Sequence, residues 1–154
     1  SIFSNNDFSI GVAFNPYLPS ALFKEEILRL EKKLKSSIVS SIWIQFGTDI
    51  TLLENRVEIL NSVILSTMKT NSKILYIKLF GSILIPSKQF LARFKYRPWK
   101  GVYCSHEFLE SVDFANSLIL KLLETYNKHK ICPLIETNIS TEDQLNSLRM
   151  LLQL

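Results

Sequence analysis

The chain has 154 residues, of which 47% are apolar and 21% are charged, a balance typical of a globular domain with one core and not of a disordered chain. A complete eight-fold β/α barrel needs roughly 200 residues or more, and the four glycines lie too far apart for a dinucleotide-binding fingerprint or a phosphate-binding loop, so these self-contained folds are excluded. The net charge of +4 implies only weak attraction to anionic partners, and we expect residues 1–154 to form a single domain.

The first predicted unit is a strand followed by a helix. An apolar run over 8–14 ends at Asn15-Pro16, which is typical of a strand that stops at a turn. Ser20 can cap the helix that follows, and lysines crowd the end of that helix. Its apolar side chains recur at helical spacing: Phe23, Ile27, Leu30 and Leu34.

The second unit repeats this plan. A strand over 42–46 ends at Gly47-Thr48, and Thr51 with Glu54 forms the pattern of a capping box at the start of the next helix. The apolar stripe of that helix consists of Leu53, Val57, Leu60, Ile64 and Met68.

The third unit contains a longer excursion between its strand and its long helix. The strand is predicted over 74–80, with a turn at Gly81-Ser82 and a short helix over 86–94. The long helix is predicted over about 112–126. Its inward side chains are Ala115, Leu118, Ile119 and Leu122.

The fourth unit completes the predicted sheet. A strand over 131–135 contains Pro133, which favours a sheet edge or a strand start, and Ser140 can cap the last helix. Strand and helix therefore alternate four times, and continuous apolar strands indicate a parallel sheet with right-handed helical crossovers. We predict an α/β fold of four β/α units.

Polar residues at the carboxyl ends of the strands are the candidates for ligand binding, because parallel α/β folds bind ligands there. They are Asn15, Gln45, Asp49, Lys78, Glu136, Thr137 and Asn138. The amide of Gln45 both donates and accepts, which suits the edge of a heterocycle. The alternative is that Gln45 bonds to a neighbouring loop.

Five short motifs occur in collinear order along most of the chain. They are the strand and turn at 10–16, the acidic-to-basic helix at 25–34, the strand end at 44–49, the segment 81–87 and the strand end at 136–138. This order resembles the second half of the methylenetetrahydrofolate reductase family, a flavin-dependent β/α barrel. The resemblance implies that the chain forms a partial, half TIM-type (β/α)8 barrel.

The resemblance also implies roles for single residues. Gln45 matches the family's glutamine that contacts the folate pterin. Glu26, Arg29, Lys32 and Lys33 fall on the helix whose polar face contacts the ribityl and phosphate groups of FAD, and Asn15 lies where the flavin approaches. The alternative for the lysines is that they face water and complement the helix dipole.

The family's catalytic glutamate and most of its flavin pocket lie in the first four strands, which have no counterpart in this chain. The resemblance therefore implies an FAD-dependent NAD(P)H:methylenetetrahydrofolate oxidoreductase of one-carbon and methionine metabolism, with this chain inactive alone and carrying no catalytic residue. The alternative is a non-enzymatic half-barrel that pairs with a partner chain or with a second copy of itself.

Basic and aromatic residues interleave over 88–103. The cations are Lys88, Arg93, Lys95, Arg97 and Lys100, and the rings are Phe90, Phe94, Tyr96, Trp99 and Tyr103. This pattern can bind an anionic small molecule or single-stranded nucleic acid, or the rings can pack under a solvated basic face. In the family an aromatic ring of this region stacks on the ligand, and the sequence leaves open whether Phe90, Phe94 or neither fills that role. Nucleic acid is the partner we expect least.

The cysteines and histidines indicate structural roles. Cys104 and His106 lie two residues apart, but the chain has too few further ligands for a structural zinc, so we expect a helix start capped by Ser105 and no metal site. We expect His129 to complement a helix end or face solvent. With no run of 18 apolar residues and no leader-like N-terminus, we expect a soluble, cytoplasmic protein without membrane partners.

Overall fold

Four parallel strands form one sheet with neighbours in the order β1-β2-β3-β4, in a computed structural model that describes residues 9–71 and 76–152. Strands and helices alternate as predicted. The elements are β1 Ile10–Phe14, α1 Ser20–Leu34, β2 Val39–Ile44, α2 Ile50–Thr70, β3 Lys78–Leu84, α3 Lys88–Tyr96, α4 His106–Glu110, α5 Val112–Lys128, β4 Cys132–Glu136 and α6 Glu142–Leu152.

The four long helices form one layer on one side of the sheet. The strand order never reverses, so right-handed crossovers place successive helices on the same side. Helices α1, α2, α5 and α6 accordingly contact one another in that order. The strand side chains that face this layer are buried: Phe14, Ile42, Ile44, Leu79 and Ile83.

Among residues 9–71 and 76–152, no layer of helices covers the opposite side of the sheet, here called the open face. Most of its residues are exposed or half-buried: Gly11, Ala13, Trp43, Lys78, Phe80, Ser82, Cys132, Leu134 and Glu136. The register also places Ser41 and Leu84 on this face, and both are buried. The indole of Trp43 is 48% exposed, and its centroid lies 5.7 Å from that of Phe80. Exposed rings in the middle of a parallel sheet are unusual, because such sheets are normally covered on both faces.

The third strand lies further along the chain than predicted. It spans Lys78–Leu84, so Gly81 and Ser82 belong to the strand and not to a turn, and Lys78 begins the strand instead of ending it. A Cβ on Gly81 would lie 2.3 Å from Cζ of Tyr126, so the glycine serves a close approach between α5 and the sheet. The predicted strand starts at Phe8 and Ile74 lie outside the described residues.

Three helix starts also differ from their predictions. Pro19 precedes α1 without a side-chain cap, and Ser20 is already helical. Asp49, not Thr51, caps α2, because its Oδ1 accepts from the N–H of Leu52 at 2.9 Å.

The start of α6 has a capping box one residue later than expected. Thr141 Oγ1 accepts from the N–H of Gln144 at 3.3 Å, and Gln144 Oε1 accepts from the N–H of Ser140 at 2.8 Å. Ser140 therefore precedes the cap. Ser87 caps α3. The predicted cap of α4 by Ser105 is confirmed.

The edge position of Pro133 is confirmed, since β4 is the last strand of the sheet. The carbonyl of Glu136 accepts from the N–H of Ile85, so the backbone groups of Glu136 face β3. Backbone groups of successive residues face opposite sides of a strand, so those of Pro133 face away from β3. The missing N–H of Pro133 therefore leaves no hydrogen bond of the sheet unmade.

Candidate functional site

The polar side chains of the open face meet at the carboxyl edge of the sheet. Gln45 follows β2 directly, and its N–H donates to the carbonyl of Phe14 at 2.9 Å, which continues the parallel ladder by one residue. The alternation of side chains places Gln45 on the side of Trp43, and the pairing of Ile44 with Gly81 places it beside Ser82.

A hydroxyl and a carboxylate continue this row on the next two strands. Ser82 Oγ donates to Oε1 of Glu136 at 2.5 Å. The second carboxylate oxygen of Glu136 is available to a ligand, since the side chain is exposed. We call Asn15, Gln45, Ser82 and Glu136 the carboxyl-edge row. An amide, a hydroxyl and a carboxylate can together read the donors and acceptors of one heterocycle edge.

A cavity of about 570 Å³ lies next to Glu136, at the carboxyl ends of β3 and β4. Its apolar wall includes Leu84, Phe90, Trp99 and Leu148, and its polar wall includes Asn116, Glu136, Asn138, Asp143 and Gln144. Largely apolar cavities of this size with a few polar groups are typical small-molecule sites.

The structure separates the two candidate stacking rings. Phe94 is only 4% exposed and does not line this cavity, whereas Phe90 is half-buried and does. Trp99 lies against both rings, with centroids 5.5 Å from Phe90 and 6.2 Å from Phe94. Phe90 is therefore the ring that can meet a ligand in the cavity.

Asn15, Glu26 and Arg29 come together at the end of β1. Glu26 Oε1 accepts from the N–H of Asn15 at 3.2 Å, and Oε2 lies 3.1 Å from Nη2 of Arg29. The side chain of Asn15 accepts from the N–H of Tyr17 and donates to the carbonyl of Gly101 at 2.8 Å. Asn15 and Glu26 thus shape the site, while the Arg29 side chain remains 57% exposed.

Lys32 and Lys33 lie further along α1. Both are exposed in the last turn of α1, about 9–10 Å along the helix axis from Glu26. Helical spacing places Lys33 on the side of Glu26, whereas Lys32 lies about 120° around the helix from Glu26. Lys32 and Lys33 follow Arg29 by three and four residues, so both are neighbours of Arg29 on the helix and can extend its cationic surface.

The segment after α3 crosses the ends of β1 and β2, which the sequence did not indicate. The carbonyl of Tyr103 accepts from the N–H of Thr48 at 3.0 Å, and Gly101 adopts a φ of 84° where it meets Asn15. The φ of Gly101 requires glycine, because other residues adopt this region at a cost. The segment limits access to the site from the side of β1.

The remaining candidates for chemistry are inert or structural. Burial raises the pKa of the Cys104 thiol to about 12, so it stays protonated at neutral pH and is no nucleophile. The side chain of His106 is exposed, and its Nδ1 lies 3.4 Å from Oε1 of Glu110. His129 lies at the end of α5, which is the first of the two placements expected for it, and its side chain is only 12% exposed, which excludes the second. Glu54 packs on it, with its Oε1 3.8 Å from Nε2.

Comparisons of the sequence with protein-family models and with curated proteins, and of the structure with solved structures, found no match. The resemblance described above therefore rests on the motifs of this chain alone. Among residues 9–71 and 76–152, no helix is long and apolar enough to cross a membrane. The same residues contain no group of three or more His, Cys, Asp or Glu that could hold a metal ion.

Proposed function

We propose that this chain is the carboxyl-terminal half of a (β/α)8 barrel similar to methylenetetrahydrofolate reductase, and that it lacks the catalytic first half. The observation that carries the proposal is the open face. A four-stranded parallel sheet in sequential order, with its helices on one side, has the topology of half a closed barrel. The open face would then be the barrel interior, where Trp43 and Phe80 would pack against the strands of the other half.

The carboxyl-edge row supports the site that the proposal requires. Barrel enzymes bind substrate at the carboxyl ends of their strands, and this is where Gln45, Ser82 and Glu136 meet. We assign the amide of Gln45 to the folate pterin. The ring of Phe90 lines the cavity beside Glu136 and would meet the flat part of a ligand that extends into it. Glu136 would accept a hydrogen bond from the ligand and is itself held by Ser82.

The chain offers only part of a flavin site. Arg29, Lys32 and Lys33 are neighbours on α1 and could meet a phosphate, whereas the side chain of Asn15 is already bonded to Tyr17 and Gly101. When bound, FAD would supply the hydride acceptor and donor between NAD(P)H and the folate. The residues of this chain would bind and orient the folate, and the general acid would come from the other half.

A second candidate function is a half-barrel that assembles without chemistry. Within residues 9–71 and 76–152, no strand pairs with the outer edge of β1 or of β4. These edges and the exposed rings of the open face favour a covering partner or a second copy. This function shares the assembly step with the first proposal but requires no flavin and no folate. Flavin binding by the assembled barrel distinguishes the two.

Replacing Gln45 tests the folate assignment. The chain is co-expressed with an amino-terminal half-barrel that bears the catalytic glutamate, and flavin absorbance and folate-dependent oxidation of NAD(P)H are measured. Gln45 Oε1 already accepts from the N–H of Phe46 at 3.1 Å, which leaves the amide nitrogen to donate to a ligand. Loss of that ligand hydrogen bond in Gln45→Ala should raise the KM for folate about 10-fold, corresponding to about 1.4 kcal/mol. The KM for NAD(P)H should change little.

The matched control is Gln89→Ala, an exposed glutamine on α3 that does not line the cavity. Its folate KM should equal that of the unchanged chain. A complex that forms but never holds flavin would favour the assembly function. Failure to form a complex with the amino-terminal half would contradict the barrel function, and a chain that is also a stable monomer would contradict the assembly function.

A further inference from the structure

The cations of this chain are concentrated in one stretch that contains no carboxylate. Residues 59–106 include eight Lys or Arg and no Asp or Glu. The remaining residues include ten basic and fourteen acidic side chains, so their net charge is −4. The net charge of +4 is therefore the sum of eight positive charges in residues 59–106 and a net charge of −4 in the other residues.

Four of these cations lie on one exposed segment at the end of α3. We define the basic aromatic surface as Arg93, Lys95, Tyr96, Arg97, Trp99 and Lys100, all of which are exposed. Throughout the part of the chain that the structure describes, the ion pairs involve none of these four cations. Clustered cations without carboxylate partners favour an anionic ligand.

The two rings of this surface alternate with the cations along the sequence. Tyr96 is 93% exposed, between Lys95 and Arg97. Trp99 is 52% exposed, and its contacts with Phe90 and Phe94 hold the ring in place. An exposed tyrosine contributes nothing to the core of this protein, whereas rings that alternate with cations can stack on bases whose phosphates meet the cations.

We propose that the basic aromatic surface binds single-stranded nucleic acid. A polyglutamate chain or an acidic protein segment would satisfy the cations but has no need of Tyr96. A membrane surface would also attract exposed cations and rings, so binding to anionic vesicles is the outcome of the test that would overturn the proposal. The inference does not rest on the proposed barrel function, although Trp99 also lines the cavity beside Glu136.

The test is fluorescence anisotropy of a labelled 12-nucleotide single strand of mixed sequence, titrated with the whole chain at several salt concentrations. If all four cations contact phosphates, the slope of log K against log salt should be about −3, since each contact to a single strand contributes about −0.7. Arg97→Ala should make the slope shallower by about 0.7.

Tyr96→Ala is the decisive variant, because so exposed a side chain can be removed without disturbing the core. Loss of one stacked base should weaken binding about 5-fold or more without changing the salt slope. The matched control is Tyr76→Ala, an exposed tyrosine outside the surface, which should bind as the unchanged chain does.

Two competitors separate the nucleic acid from other polyanions. Polyglutamate of equal charge should compete at least about 10-fold less well than an unlabelled strand, because it cannot stack. Equal competition, binding of Tyr96→Ala that matches the unchanged chain, or preferential binding to vesicles that contain anionic lipid would overturn the proposal.

Discussion

Arg56→Ala is expected to lower the free energy of unfolding by about 3–5 kcal/mol, because it removes two charge-assisted hydrogen bonds and a buried cation–π contact. Arg56 lies on α2 and is only 7% exposed. Its Nη1 donates to the carbonyls of Pro16 and Leu18, and its guanidinium carbon lies 3.9 Å from the ring centroid of Phe23. The arginine thereby fixes the loop that follows Asn15.

Denaturant unfolding followed by circular dichroism measures this effect. Arg149→Ala, an exposed arginine on α6, is the control and should change stability by less than about 0.5 kcal/mol. Arg56→Lys should lose less unfolding free energy than Arg56→Ala and more than Arg149→Ala, because a single ammonium cannot make the two hydrogen bonds of the planar guanidinium. A loss below about 1 kcal/mol for Arg56→Ala would contradict the role assigned to it.

Gly81→Ala is expected to destabilise the chain by about 3 kcal/mol or more, because the new methyl group would overlap the ring of Tyr126. That ring is fully buried, and its hydroxyl donates to the carbonyl of Ser82 at 3.1 Å, so it cannot move aside without losing this bond. Thermal unfolding of the variant measures the loss.

Gly11→Ala is the matched control for this substitution. Its new Cβ would also come close to an aromatic side chain, at 2.5 Å from Nε1 of Trp43, but that indole is half-exposed on the open face and can shift. Gly11→Ala should therefore cost much less than Gly81→Ala. If the double variant Gly81→Ala, Tyr126→Leu were no more stable than the sum of its single changes predicts, the proposed overlap would be wrong.

The fold could be predicted from the sequence to the extent that periodicity defines it. Apolar runs and amphipathic stripes gave four alternating strands and helices and a parallel sheet, because both signals are local. The bounds of β3 could not be predicted, since Gly81 resembles a turn residue in sequence and only the ring of Tyr126, 45 residues later, explains its place in a strand.

The candidate site was predicted only in part. Gln45 and Glu136 were found because polar residues at strand ends are visible in the sequence. Ser82 was missed as a site residue, because its hydrogen bond to Glu136 spans 54 positions. Residues 97–103 cross the strand ends because they contact Asn15 and Thr48, and no local sequence pattern predicts contacts between residues so far apart in the chain.

The central claim is that the open face becomes the interior of a barrel when a second half covers it. Cys132 lies on this face beside Phe80 and is exposed, so the labelling rate of its thiol shows whether the open face is covered. Cys104 does not interfere, because burial raises its pKa to about 12 and leaves its thiolate population at pH 8 about a thousand-fold below that of an ordinary thiol.

The most direct measurement is the rate of thiol labelling at pH 8, alone and with the co-expressed amino-terminal half-barrel. The chain alone should label rapidly at one thiol, which Cys132→Ser removes, and the assembled barrel should label at least about 10-fold more slowly. Trp43→Glu on the open face should restore rapid labelling, whereas Leu28→Glu on the exposed side of α1 should not. Rapid labelling of Cys132 within a stable complex of the two halves would contradict the claim.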